Sequence, residues 1–185
     1  MLDRRRAEGL LFLAGFALSI PIANWMIGNV GTKCVPNGPC LMPVGFGVMA
    51  PTGVIMIGLA LVLRDLVQRR LGVGWAAAAV VAGAAISAFL APPALVLASG
   101  AAFLLAEMAD FAVYTPLQRR GLVTAVVASS IVGLVIDSVL FLYLAFGNLD
   151  YLLGQVLGKS WMVLAAIPFI ILLRRRDERL GLEPA

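Results

Sequence analysis

The sequence predicts an all-α integral membrane protein with six transmembrane helices and both termini cytoplasmic, and three observations carry that prediction. Apolar residues make up 62% of the 185 positions and charged residues 13%, where a soluble chain is about half apolar and about a quarter charged. Mean hydropathy is +1.00, which leaves too little polar material to coat a water-facing sphere. Six stretches approach the roughly 20 apolar residues that cross a bilayer core of about 30 Å. Finally, every Lys or Arg except Lys33 and Lys159 falls at Arg4–Arg6, Arg64–Arg70, Arg119–Arg120 or Arg174–Arg179. With six crossings those four places lie on one side, which the positive-inside rule makes cytoplasmic.

The six stretches run roughly Gly9–Val30, Val44–Leu63, Val73–Ala91, Ala94–Tyr114, Leu122–Phe146 and Leu153–Leu173. Short connections leave no room for a soluble domain, so residues 1–185 read as one transmembrane transporter domain. Span 1 runs past Pro21 without a small-residue cleavage site, which argues against a signal peptide. The third span is nearly all Ala, Val and Gly, and Pro92-Pro93 ends it. Small-residue faces such as Gly72–Gly83 would allow a homodimer without requiring one. In the external loop, Cys34 and Cys40 span a Pro-Asn-Gly-Pro turn. They either close a small disulfide in an oxidising compartment or stay two free thiols; in both cases their role is structural.

Several classes of chemistry are excluded or lack support. The net charge of +4 does not indicate nucleic-acid binding, because the arginines sit at membrane borders rather than along one exposed face. Zero histidines remove a Ser–His protease, a His-ligated metal and an imidazole relay, and two cysteines cannot build a four-thiolate site. A CDP-alcohol transferase would need several aspartates at fixed spacing on adjacent turns, which are missing. No cofactor and no enzymatic activity are expected.

Charge at bilayer depth is expensive and marks functional candidates. At 1.5 Å rise per residue, Asp137 lies about 22 Å into a span that starts inside, and Lys159 lies about 9 Å down from outside. Asn24 reaches a similar level, so these three define an outer polar layer. Glu107 and Asp110 fall in the inner half with Ser129 and Ser130, bordered by Arg64, Asp65 and Gln68 at a span end. Those residues define an inner layer. Glu107, Asp110 and Tyr114 follow i, i+3, i+7, one face of a helix, while Ser129, Gly133 and Asp137 follow i, i+4, i+8. Gly133 would let a neighbour approach closely. Two stacked polar layers are what an alternating-access path requires. Each has a plainer reading: Ser and Gly as packing residues, Arg64 and Asp65 as interfacial charges, Lys159 snorkelling outward, Glu107 and Asp110 in an inter-helix ion pair.

Three segments, taken together and in order, resemble the VUT family: Leu63-Arg64-Asp65-Leu-Val-Gln68-Arg-Arg-Leu-Gly72, Ala106-Glu107-Met-Ala-Asp110-Phe-Ala-Val-Tyr114, and Ala128-Ser129-Ser130-Ile-Val-Gly133-Leu-Val-Ile-Asp137-Ser138-Val-Leu-Phe141. The resemblance runs from about residue 44 to 172 and includes a last-span lysine, here Lys159. Members are small six-span proteins first supposed to import vitamins, the best known being the bacterial queuosine precursor transporter. The resemblance implies uptake of 7-deazaguanines, such as 7-cyano- or 7-aminomethyl-7-deazaguanine or queuine, across the inner membrane. A guanine-like edge offers N1–H and an exocyclic amine to one carboxylate, its carbonyl wants a donor, and its faces want aromatics such as Trp25, Phe103, Phe111, Tyr114 or Phe141. The alternative is a substrate-capture subunit for a related heterocycle, dependent on an ATPase partner. A purely structural membrane protein would not need two charged layers.

Overall fold

The computed structural model describes residues 2–36, 38–90 and 96–181; Asn37, Pro92-Pro93 and the ends assigned to spans 3 and 4 at Ala91 and Ala94 lie outside them. Six helices dominate: α1 (Leu2–Asn29), α2 (Val54–Leu71), α3 (Val73–Leu90), α4 (Val96–Leu117), α5 (Leu122–Phe146) and α6 (Leu152–Leu180). Five are long and apolar enough to cross a membrane. The exception, α2, carries Arg64, Asp65, Arg69 and Arg70 within 18 residues. It can do so because it sits at the centre of the bundle, in contact with each of the other five helices. Lipid-facing side chains of the outer helices, such as Leu11, Phe89, Leu97 and Leu172, are exposed and apolar. The chain is a multi-pass membrane protein.

Two expectations are corrected here. Residues 44–51, expected as the start of a helix, belong to a small antiparallel sheet of β1 (Lys33–Cys34), β2 (Cys40–Gly45) and β3 (Val48–Pro51), ordered β1-β2-β3. The expected helical membrane bundle stands, with this small sheet added to it. Phe46 and Gly47 form the tip with φ of 53° and 74°, the left-handed pair that a two-residue hairpin loop requires. An apolar run of eight residues is compatible with strand or helix, and the flanking Pro and Gly decide for the strand. The second correction follows. Because α2 starts at Val54, Arg64 and Asp65 lie well inside it rather than at a span end, and the expected 2–3 loop shrinks to Gly72.

The sheet is seated on the bundle by close backbone approaches. Trp161 Nε1 donates to the Val44 carbonyl (2.7 Å), and Thr52 Oγ1 donates to the Met26 carbonyl (2.7 Å). A Cβ at Gly154 would stand 2.1 Å from the Met49 carbonyl oxygen, and one at Gly158 would stand 2.4 Å from Val54 Cγ2. Glycines at i and i+4 thus give α6 a flat strip against β3 and the start of α2. The structure joins Cys34 to Cys40 as a disulfide across β1 and β2. Gly83, considered as a dimer face, packs inside its own chain, where an added Cβ would meet Ile20 and Phe103 at 2.8 and 3.1 Å.

Candidate functional site

Two polar centres lie in the bundle, one nearer the hairpin end and one nearer the end where the arginines gather. In the first, Lys159 of α6 is buried and its Nζ donates to three oxygens: Asp137 Oδ2 at 2.5 Å, Gln155 Oε1 at 2.7 Å and Ser138 Oγ at 2.8 Å. Three acceptors satisfy an ammonium fully, so Lys159 does not snorkel. A cavity adjoins this group, lined by Asn24, Asp137, Gln155, Lys159, Ser87 and Ser99, with Phe103 and Phe141 on its walls. Ser87 and Ser99 share a hydrogen bond of 2.7 Å between α3 and α4. Asn24 lines the cavity while donating to the Ile20 carbonyl of its own helix (3.0 Å). The cavity volume is about 70 Å³, less than half of the roughly 150 Å³ that accommodates benzene. A bicyclic ligand therefore requires the surrounding helices to part.

The second centre is built around Arg64, which is fully buried. Its Nε donates to Glu107 Oε2 (2.9 Å), its Nη2 donates to Asp110 Oδ1, and its Nη1 lies 3.0 Å from Asp65 Oδ1. Ser129 Oγ donates to Asp65 Oδ2 (2.9 Å), and Gln68 Oε1 accepts from Arg64 Nη1 at 3.4 Å. Phe111 and Tyr114 flank the guanidinium, with ring centroids 5.4 and 5.9 Å from its central carbon, within the range of cation–π attraction. Gly133 makes the cluster compact, since a Cβ there would lie 3.0 Å from Asp110 Oδ2 and 3.1 Å from both Asp110 Cβ and Leu61.

The structure thus brings Asp137, Lys159 and Asn24 to one cavity, and Arg64, Asp65, Gln68, Glu107, Asp110, Tyr114 and Ser129 to one cluster. Ser130 stands apart: it is fully buried and its hydroxyl has no hydrogen-bond partner. Of the aromatic candidates, Phe103 and Phe141 reach the cavity, Phe111 and Tyr114 serve Arg64, and Trp25 is exposed on α1. Sequence reasoning missed Gln155, Ser138, Ser87 and Ser99. Gln155 stands four residues before Lys159, a helical spacing that was readable; the serines looked like packing residues.

It also missed a third group at the arginine-rich end. Asp177 of α6 accepts from Arg70 Nη2 (2.7 Å), Arg70 Nη1 (3.0 Å) and Arg69 Nε (2.9 Å). Glu8 of α1 accepts from Arg70 Nε (3.1 Å) and Arg176 Nη2 (2.5 Å). Arg69 and Arg70, read from sequence as membrane-border charges, are buried members of a network that ties the ends of α1, α2 and α6 together.

A helical bundle with buried charge pairs beside an internal cavity has the architecture of a small-solute transporter. The chain belongs to the VUT family: the family model Vut_1, described as "Putative vitamin uptake transporter", matches residues 52–173, from the turn before α2 into α6. The match covers both charge centres and leaves out α1 and the whole sheet. Searches of curated proteins and of solved structures give no match.

Proposed function

We propose that the chain imports a queuosine precursor, a 7-deazaguanine such as 7-cyano-7-deazaguanine, across the inner membrane, with its arginine-rich end in the cytoplasm. The observation that carries this reading is the cavity wall that presents the Asp137 carboxylate and the Lys159 ammonium together, with Phe103 and Phe141 lining the same cavity. A guanine-like ring has a two-donor edge for the carboxylate, a carbonyl for an ammonium or amide donor, and flat faces for the phenyl rings. The Arg69–Arg70–Asp177 network closes the arginine-rich end, so substrate enters from the hairpin end. Opening the small cavity to ring size parts α2 from α6, which Gly58 now holds close at Lys159 and Met162.

The test is uptake of labelled 7-cyano-7-deazaguanine by purified protein in liposomes, with guanine, biotin and thiamine as competitors. Saturable uptake, inhibited by other 7-deazaguanines and not by the vitamins, supports the reading. Binding without uptake would make the chain a capture subunit that needs an ATPase partner. Displacement by a vitamin would reject the deazapurine assignment.

A further inference from the structure

The Arg64 cluster has a charge imbalance with a chemical consequence. One guanidinium faces three carboxyl groups, Asp65, Glu107 and Asp110, and all four side chains are 2% exposed or less. Among the described residues no other cation relieves the surplus. Lys159 on α6 is committed to Asp137, Arg69 is committed to Asp177, Arg70 is shared between Asp177 and Glu8, and α3 contributes no charged residue. Ionised throughout, the cluster would hold two uncompensated negative charges inside a bilayer, where unpaired charge is expensive.

The hydrogen bonds point the same way. Asp110 Oδ2 is buried without a donor, although its other oxygen binds Arg64, and the buried hydroxyl of Tyr114, whose ring faces the guanidinium, also has no partner. A buried carboxylate oxygen without a donor is costly, whereas a protonated oxygen is a hydroxyl that can turn to an acceptor. The three carboxyl groups converge on Arg64 and not on a common point at which a metal ion could sit.

We propose that the Arg64 cluster is a proton-binding site: it holds two protons when neutral, and gives up and regains one of them as the transporter moves its substrate. The coupling half of this statement rests on the transport reading above; the proton-binding half does not. Asp65 and Arg64 share the central helix α2, while Glu107 and Asp110 ride on α4. Loss of a proton strengthens the pull of α4 on Arg64, and its return weakens that pull. A movement that parts α2 from α4 is thereby tied to protonation.

Two measurements separate the halves. The first is the infrared carbonyl stretch of protonated carboxyl groups in the purified, substrate-free protein at neutral pH, identified by its shift in heavy water. It should be present, fall by about half in each of Asp65→Asn, Glu107→Gln and Asp110→Asn, and persist in Asp137→Asn. Each amide replaces one carboxyl, so one proton fewer is needed for neutrality. Absence of the band in the unaltered protein, or a band in all three variants as strong as in the unaltered protein, overturns the site. The second measurement uses liposomes with an alkaline interior and no sodium gradient. Uptake of labelled 7-cyano-7-deazaguanine should accumulate about tenfold per pH unit for one proton carried per substrate, and a protonophore should abolish that accumulation. Facilitated uptake indifferent to the pH gradient overturns the coupling and leaves the substrate assignment standing. Failure to bind the ligand at all overturns the substrate assignment and the coupling built on it, while the infrared result still decides the site.

Discussion

Arg70 and Asp177 form a two-pronged ion pair, Nη2 to Oδ1 at 2.7 Å and Nη1 to Oδ2 at 3.0 Å, across 107 residues of sequence. Both side chains are 1% exposed. The pair fastens the last turn of α2 to the last turns of α6, and Glu8 adds the start of α1. Removing one partner of a buried pair costs about 3–5 kcal/mol. Asp177→Asn should therefore lower the unfolding temperature in detergent and speed hydrogen exchange in the ends of α2 and α6. Glu8 is 18% exposed, so Glu8→Gln should cost less, about 1 kcal/mol. Equal melting of Asp177→Asn and the unaltered protein would show that this network does not hold the end together.

That pair also marks where sequence reading stops. The face Glu107, Asp110 and Tyr114 was legible because three polar residues at helical spacing stand out in an apolar span, and Gly133 was legible as a point of close approach. Depth counting put Asp137 level with Lys159. The charges of α2 were misread because charge density alone looks like a loop; only the packing of five helices around α2 shows that they are buried. A partner 107 residues away leaves no local signal. The apolar run 44–51 misled for another reason, since eight residues without polar alternation carry no period that separates strand from helix. Gly45 and Gly47 around Phe46, between Pro43 and Pro51, were the available hint of a turn.

The seating of the sheet gives a steric prediction. An added methyl at Gly154 would overlap the Met49 carbonyl, which is backbone and cannot step aside, whereas nothing lies within 4 Å of one at Gly100. Overpacking costs typically about 1–3 kcal/mol. Gly154→Ala should reduce the folded yield and displace β3, while Gly100→Ala, on α4, should be neutral or slightly stabilising. Parallel thermal melts of the two variants decide this, and equal melts would contradict the packing.

The Cys34–Cys40 bond closes a loop of about seven residues, for which chain entropy allows about 2 kcal/mol. Alkylation in intact membranes should need prior reduction. Cys34→Ser with Cys40→Ser should still transport, with a lower melting temperature. Alkylation without reductant would show that the bond is absent in the membrane.

Orientation can be read by reporter fusions. Arg4–Arg6, Arg119–Arg120 and Arg174–Arg179 lie at one end of the bundle, where Arg5 donates to the carbonyls of Arg69 and Arg70 and Gln68 donates to Thr115. Fusions after Gln118 and at the C-terminus should report the cytoplasm, and one at Lys33 the opposite side. A cytoplasmic signal at Lys33 would invert the direction of substrate entry.

Lys159 and Asp137 decide between a structural pair and a recognition site. Lys159→Met alone leaves the Asp137 carboxylate without its cation, and Asp137→Asn alone leaves Lys159 with only Ser138 and Gln155 as acceptors. Each single change should destabilise the bundle by about 3–5 kcal/mol. The double change removes both charges and should recover most of that loss, seen as restored yield and melting temperature. Transport then separates the roles. A counter-ion can be dispensed with once its partner is gone, so uptake would return with the fold. A carboxylate that accepts the donor edge of the ligand cannot be replaced by an amide, which turns a donor toward donors. Loss of that charge-assisted contact is worth up to about 3 kcal/mol, close to a hundredfold in affinity. The expected outcome is a double variant that folds, reaches normal levels in the membrane and takes up labelled 7-cyano-7-deazaguanine at about a hundredth of the normal rate under subsaturating conditions. Full uptake by that variant would leave Asp137 a counter-ion and move the recognition site elsewhere in the cavity.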